Sequence, residues 1–380
     1  MIGNRFKPDE EIITHQSKNE HMIFFRVPLL ISILLLTQFI NGQTTQTIPL
    51  QVDYWTPAEG SSVNFESFDG KETIVVNGTA FANGFEFSKG VLEMEVYGNQ
   101  KRSFAGVVFR KHDGNFEEVY MRIHKSRQVD AVQYTPTYNN ESNWQLYPEF
   151  QANVAFRTEG WNLFRIEVED LTATLFINGK EVMQIDCLRS GNLNGGIGLF
   201  ALFGNRFANL KVTKTGEAVA KEPYPIVTPE KGIIGEWDIT EAQPYVEGQI
   251  DFKDFEKEQT ITVNTEESGL LPISRYLAKP TSGNFERNQE AFTVASTTIA
   301  VDQAQTRFFL FDYSDKIVVY LNGEPIFYGN NAFRSKNNQF QGHLGLTANK
   351  LPLQLKKGFN TLHCVVIDKA NGWGLIGKIE

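Results

Sequence analysis

The segment VYMRIH, Val119 to His124, sets three chemically capable side chains in alternation. Side chains in an extended strand point to opposite faces with period two, so Tyr120, Arg122 and His124 share one face while Val119, Met121 and Ile123 share the other. One face is apolar and seats on a core. The other carries a phenol, a guanidinium and an imidazole side by side. Arg110, Gln133 and Trp144 on neighbouring segments extend the set. Aromatic faces stack on the C–H faces of sugars, and guanidinium or amide groups satisfy rings of hydroxyls, so these six residues are suited to binding carbohydrate. The same six could instead form a buried polar network, with Arg122 paired to Glu118 or Asp130.

Acid–base chemistry is the second use of this segment. His124 has an ordinary pKa of about 6.5 and could act as a general base with Glu117 or Glu118, or could serve only as a hydrogen-bonding residue. Trp144, in NESNWQLY, could be a stacking platform carried on a loop or a core anchor. Trp161 and Trp237 read as strand-edge core residues, and Trp373, in NGWG, as a packing cap or a sugar-stacking ring. Asp312 and Asp315, in FDYSDK, are turn formers or calcium ligands at a strand end; no other cofactor is expected. The sequence holds no nucleophile elbow, phosphate loop or Cys/His metal spacing.

The elements that position these groups are strands. Runs such as TIVVNGTAFA (73–82), GVLEMEVYG (90–98), FAGVVFRK (104–111), NLFRIEVED (162–170) and ATLFINGKEVMQI (173–185) alternate apolar and polar residues. The dipeptides Asn77-Gly78, Asp113-Gly114 and Asn178-Gly179 read as tight turns between them. With 30 Phe and 31 Gly and no helical run of useful length, the chain is expected to be all-β, built as β-sandwiches. Residues 216–231 contain Pro223, Pro225 and Pro229 and read as a linker. A second β-rich unit follows over 232–380, with strands TRFFLFDYS (306–314), KIVVYLNGEPIFYG (316–329) around Asn322-Gly323, and NTLHCVVID (360–368). Residues 251–300 are less regular, with ITVN and FTVAST as strands.

The 380 residues suffice for two domains. A net charge of −9 argues against nucleic acid as the main partner. Residues 1–43 read as an extension and a secretory signal, with Met22 as the expected start, Arg26 as the positive flank and a short apolar run to Leu36. That run is too short for a confident membrane span. The expected location is secreted, periplasmic or at the cell surface, with no stable membrane insertion once the signal is cleaved. An uncleaved anchor is the alternative. The two cysteines, Cys187 and Cys364, are inert core thiols or an interdomain disulfide. The oligomeric state is left open.

In the unit expected over 44–215, the segments GVLEMEVYG with FAGVVFR, WNLFRIEVEDLTATLFINGKEV and GGIGLFALFGNRFANLKV resemble the concanavalin A-like lectin/glucanase superfamily, in its laminin-G-like branch, over about residues 50–213. A neighbouring branch hydrolyses 3-keto-glycosides. Another contains retaining glucanases with a Glu-x-Asp-x-x-Glu strand. The nearest match here, Glu93-Met94-Glu95, lacks the central Asp and has Gly98 where the last Glu is needed, so the carboxylate pair for retaining hydrolysis is missing. The second unit, through FDYSDKIVVYLNGEPIFYG and LKKGFNTLHCVVIDKANGWG, resembles galactose-binding-like jelly rolls. These resemblances imply a carbohydrate-binding protein that uses the concave face of a lectin-like sandwich and is auxiliary to glycan breakdown. A glycoside hydrolase or lyase acting on 3-keto-glycosides and an extracellular protein-interaction module are the alternatives.

Overall fold

The computed structural model describes residues 44–219, 230–280 and 288–380. The expected leader, most of the proline-rich linker and part of the 251–300 region lie outside the described residues. The described residues cluster as one compact unit. The chain is all-β, as its alternation implies. The first half contains β1 (Ser62–Phe68), β2 (Lys71–Phe87), β3 (Lys89–Gly98), β4 (Phe104–His112), β5 (Asn115–Arg122), β6 (Val132–Tyr138), β7 (Gly160–Val168), β8 (Ala173–Ile177), β9 (Lys180–Ile185) and β10 (Gly195–Gly216). All pairings are antiparallel.

Two long strands make this half a sandwich. β10 pairs with β4 through Gly196–Leu202, shifts register between Ala201 and Asn205, then pairs with β3 from Phe207 onward. β2 follows β10 across both stretches. The front layer therefore runs β6–β5–β4–β10–β2 and the back layer runs β1–β2–β10–β3–β7–β8–β9. Between them lies a core that includes Val107, Phe109, Val119, Met121, Val132, Tyr134, Phe164, Ile166, Leu199 and Phe207, all 1% exposed or less.

Asn77-Gly78 does not close a hairpin. It lies inside the 17-residue β2, where the strand passes between layers opposite Ala201. Gly78 has φ +94° and packs against Ser61, so the conformational freedom that suits a turn serves a bend instead. Asp113-Gly114, Asn178-Gly179 and Asn322-Gly323 do join adjacent strands, with Asp113, Asn178 and Asn322 at φ 50°, 52° and 53°.

The second half forms another pair of sheets from β11 (Glu236–Thr240), β12 (Thr260–Asn264), β13 (Leu270–Pro272), β14 (Ala291–Val301), β15 (Gln305–Ser314), β16 (Lys316–Leu321), β17 (Glu324–Asn330), β18 (Asn349–Leu355), β19 (Gly358–Asp368) and β20 (Gly374–Ile379). One sheet runs β12–β11–β14–β19–β16–β17 and the other β13–β20–β15–β18. Trp237, Phe309, Phe311, Ile317, Leu362 and Trp373 fill the space between them. Among the described residues α-helix is confined to four-residue pieces at Phe252–Phe255 and Ile273–Tyr276. Among the described residues no helix is long and apolar enough to cross a membrane. Both cysteines are free and buried, so no disulfide joins the halves.

The halves meet along the segment that follows β6. Leu146 packs against Gly372 and Gly374. Gln145 donates to the Gln341 carbonyl, and Asn143 Oδ1 accepts from the Ser274 hydroxyl at 2.5 Å. Around Glu266, which is 7% exposed, converge Arg275 Nη2 at 2.5 Å, the Tyr147 hydroxyl at 3.0 Å and Arg189 Nη1 at 3.4 Å. A second buried cluster joins Lys279 to Glu141 at 2.8 Å and to Asp368. Burial pushes the Glu141 carboxyl up to about 7, and the Lys279 ammonium acts against that rise.

Candidate functional site

On the outer face of the front layer, cross-strand register sets residues in rows. One row runs Thr79–Phe200–Gly106–Tyr120–Gln133–Gln151 and the next Phe81–Gly198–Val108–Glu118–Thr135. Glycine at two of these positions has a geometric reason. A Cβ on Gly106 would fall 2.5 Å from the Tyr120 Cβ, and one on Gly198 would fall 2.9 Å from the Phe81 ring. The missing side chains let the neighbouring aromatic groups lie down across the strands. The Tyr120 ring meets Phe200 at 5.4 Å and Phe104 at 6.1 Å, and Phe104 meets Phe203 at 6.1 Å and His124 at 5.2 Å. Phe203, at the tip where β10 changes layer, is 61% exposed, and Leu202 beside it is 40% exposed. Phe104, Phe200 and Phe81 are half-buried.

Arg122 lies between two rings, its guanidinium carbon 5.1 Å from the Tyr120 centroid and 5.6 Å from that of Trp144. It donates to the Asp130 carbonyl at 2.8 Å, the Tyr120 hydroxyl at 3.1 Å and Gln133 Oε1 at 3.2 Å. Gln133 is fully buried and donates to the carbonyls of Tyr134 and Tyr147. Trp144 reaches the other half of the chain, donating to Asn371 Oδ1 at 3.1 Å with its ring edge-on to Phe333 and His343. His343 contacts Gln151 at 3.3 Å, and burial with the nearby Arg122 lowers its pKa to about 4.

Tyr120, Arg122, Gln133 and Trp144 thus come together as the alternation implies, but the first three are nearly sealed. Tyr120 and Arg122 are each 4% exposed. The pairing of Arg122 with a carboxylate is replaced by backbone and amide partners. Arg110 is not part of the group. A bulge between Phe109 and His112 puts Arg110 at φ +53° and breaks the alternation. Its guanidinium is buried and donates to the carbonyls of Ser88, Glu169 and Asp170. His124 falls past the end of β5, in a 3-10 turn over Ile123–Lys125, half-buried with Nδ1 at 3.0 Å from the Ser103 carbonyl. Desolvation, helped by the charges of Arg102, Lys125 and Arg122, holds its pKa below the usual value.

Glu118 faces outward in the second row, yet it is 3% exposed, and burial raises its carboxyl to about 7. Glu117 points the other way and is fully buried, accepting from the Tyr134 hydroxyl at 2.8 Å and from Ser190 Oγ at 2.7 Å, so it is no partner for His124 on the outer face. Asp312 and Asp315 do not converge. Asp312 accepts from Tyr313, Asn331 and Gly345, whereas Asp315 accepts from the Lys369 amide. Among the described residues no group of three or more His, Cys, Asp or Glu is arranged to hold a metal ion. Trp237 and Trp373 are core residues, and Trp161 is half-buried on the back layer, donating to Asp69. Sequence reasoning missed Phe104, Phe200 and Phe203. Their signal was present in FALF and SFAG, but it reads as core until register places Phe200 beside Gly106.

Residues 36–213 match the family model described as 3-keto-alpha-glucoside-1,2-lyase-like domain. No curated protein matches the chain. Among solved structures, the carbohydrate binding module CBM66 from Bacillus subtilis is 13% identical, with a TM-score of 0.30 over 42% of this chain and 94% of that one. A β-1,3-1,4-glucanase (lichenase) from a mouse hindgut metagenome is 11% identical, with a TM-score of 0.34 over 46% of this chain and 99% of that one. The β-glucanase of Bacillus licheniformis is 10% identical, with a TM-score of 0.34 over 46% of this chain and 98% of that one. The matched span takes in β1 to β9 and nearly all of β10, just under half of the chain.

Proposed function

We propose that this protein binds carbohydrate on the ring-lined outer face of its front layer, as a secreted protein that assists glycan breakdown. The observation that supports the reading is the run of rings from Phe200 through Tyr120 and Phe104 to Phe203, which ends in a ring that is 61% exposed. Aromatic faces offered to water suit the apolar C–H faces of pyranose rings. Arg122, Gln133 and Tyr120 then act from beneath, holding the rings in place. Trp144 and His343 form the wall where the second half of the chain joins. Titration calorimetry of the secreted protein against oligosaccharides tests this. Binding that is lost in Phe200→Ala and Phe104→Ala, with circular dichroism unchanged, is the expected result. Binding that persists at full strength in both variants removes the face from consideration.

A second reading is elimination or hydrolysis of 3-keto-glucosides, favoured by the family match and by the Glu118 carboxyl raised to about 7. A ketone at C3 acidifies the C2 proton. A carboxylate can take that proton while the C1–O bond breaks and the leaving oxygen departs with the electron pair. His124, neutral at pH 7, is the other available base. Chromatography of products from a 3-keto-disaccharide decides this reading: turnover abolished by Glu118→Gln supports it, and its absence in the unaltered protein refutes it.

A further inference from the structure

We infer that the ligand of this face is an acidic glycan, one whose sugar rings carry carboxylate or sulfate groups, with Arg102 as the principal counter-charge. The inference rests on the binding reading above and adds the ligand's charge.

Arg102 stacks on Phe203 and Phe104 at the open end of the ring cluster, with Lys101 beside it in the same turn and Lys125 and Arg127 in the turn at 123–128. The turn at 101–103 meets the turn at 123–128 through the contact of Ser103 N with His124 Nδ1 at 3.3 Å. Of these four cations only Lys125 has a carboxylate partner, Asp130, among the described residues. Glu159 is held by Gln100 at the margin. A chain whose net charge is −9 has acids enough to neutralise such a group, yet among the described residues Lys101, Arg102 and Arg127 are left exposed without carboxylate partners. On the other side of Trp144, Arg334 and Lys336 lie over Phe333 and Phe340, again with no carboxylate bound to them among the described residues. At the far end of the rows Lys111 stands 4.9 Å from the centre of the Phe81 ring.

Arg102 is the best placed. Its guanidinium carbon is 5.0 Å from the Phe203 centroid and 5.7 Å from that of Phe104. A guanidinium stacked on rings keeps its N–H edge free, and that edge matches a carboxylate or sulfate in fork geometry. A uronate offers both features at once, a C–H face for Phe203 and an anion on the same ring for Arg102. The lowered His124 pKa agrees with a locally positive field, since Arg102, Lys125 and Arg122 all contribute to it after burial.

The test is calorimetry with three probes, uronate oligosaccharides, sulfated oligosaccharides and neutral β-glucan oligosaccharides, at about 20 mM and about 300 mM salt. An acidic probe should bind about tenfold tighter than the neutral one at low salt, with the advantage shrinking as salt rises. Arg102→Ala should remove most of that advantage and Arg102→Lys should restore part of it; Arg102 is exposed, so both variants fold. Neutral probes binding as tightly as acidic ones, with Arg102→Ala silent, would overturn the inference while leaving the binding reading in place. No binding of any glycan would sink both. Tighter binding of single-stranded DNA than of either acidic probe, with the same Arg102 dependence, would also overturn it by assigning the cations to nucleic acid.

Discussion

Truncating Phe203 separates ligand binding from folding more cleanly than any other change on the outer face. The ring is 61% exposed, and among the described residues its only aromatic neighbour is Phe104 at 6.1 Å. A Phe side chain buries about 200 Å² when fully covered, so about 120 Å² of this one faces water. A sugar stacked on one side of the ring would cover about half of that. At about 25 cal/mol per Å² this amounts to about 1.5 kcal/mol, a Kd increase of roughly tenfold for Phe203→Ala. The thermal midpoint should hardly move, because little of the ring packs on the protein. Calorimetry for affinity and scanning calorimetry for stability give the two numbers independently. A Kd unchanged within about twofold, for an oligosaccharide that the parent protein binds, would mean that the exposed ring touches no ligand and that the stacking argument is wrong.

Glu266→Gln should weaken the seam between the two halves by about 3–5 kcal/mol, because Arg275 and Arg189 would lose a buried counter-charge; a fall of roughly 10 °C in thermal midpoint is expected, and a fall under about 2 °C would refute it. Glu118 has a folded pKa of about 7 against an ordinary value of 4.5, so its favourable contribution is complete below about pH 4.5 and is lost as pH climbs through about 7. Glu118→Gln should therefore flatten the decline in urea midpoint between about pH 5 and 8, by about 3 kcal/mol at most, and an unchanged pH profile would show that the carboxyl is not held neutral. Both thiols should be inert to a chromogenic disulfide reagent in the native protein and react in full under denaturant, since burial pushes Cys187 up to about 12 and drives Cys364 up as well; rapid native labelling of either would contradict the packing.

Alternation made the strands and the clustering of Tyr120, Arg122 and Gln133 legible, because period two depends on local geometry alone. It failed where the backbone leaves that period. Arg110 turned inward at a bulge, His124 lies two residues past Arg122, where its strand ends, and Asn77-Gly78 bent a strand instead of ending it. Burial was also out of reach. A face shared with a second set of sheets looks identical in sequence to a face shared with water, and Trp144, whose ring lies over Arg122, is itself held by Asn371, Phe333 and His343. Phe200 and Phe203 read as core because nothing local tells an inward Phe from an outward one.

The wall beside Arg122 has a consequence for biosynthesis. Trp144 and its partner Asn371 are 227 residues apart. At a translation rate of about 5–20 residues per second, the indole waits roughly 10–50 s on the emerging chain before that amide exists. A nascent or C-terminally nicked molecule would carry a fully formed front sheet with its flank uncovered. Quality control that binds exposed indoles could tell such an incomplete chain from a finished one.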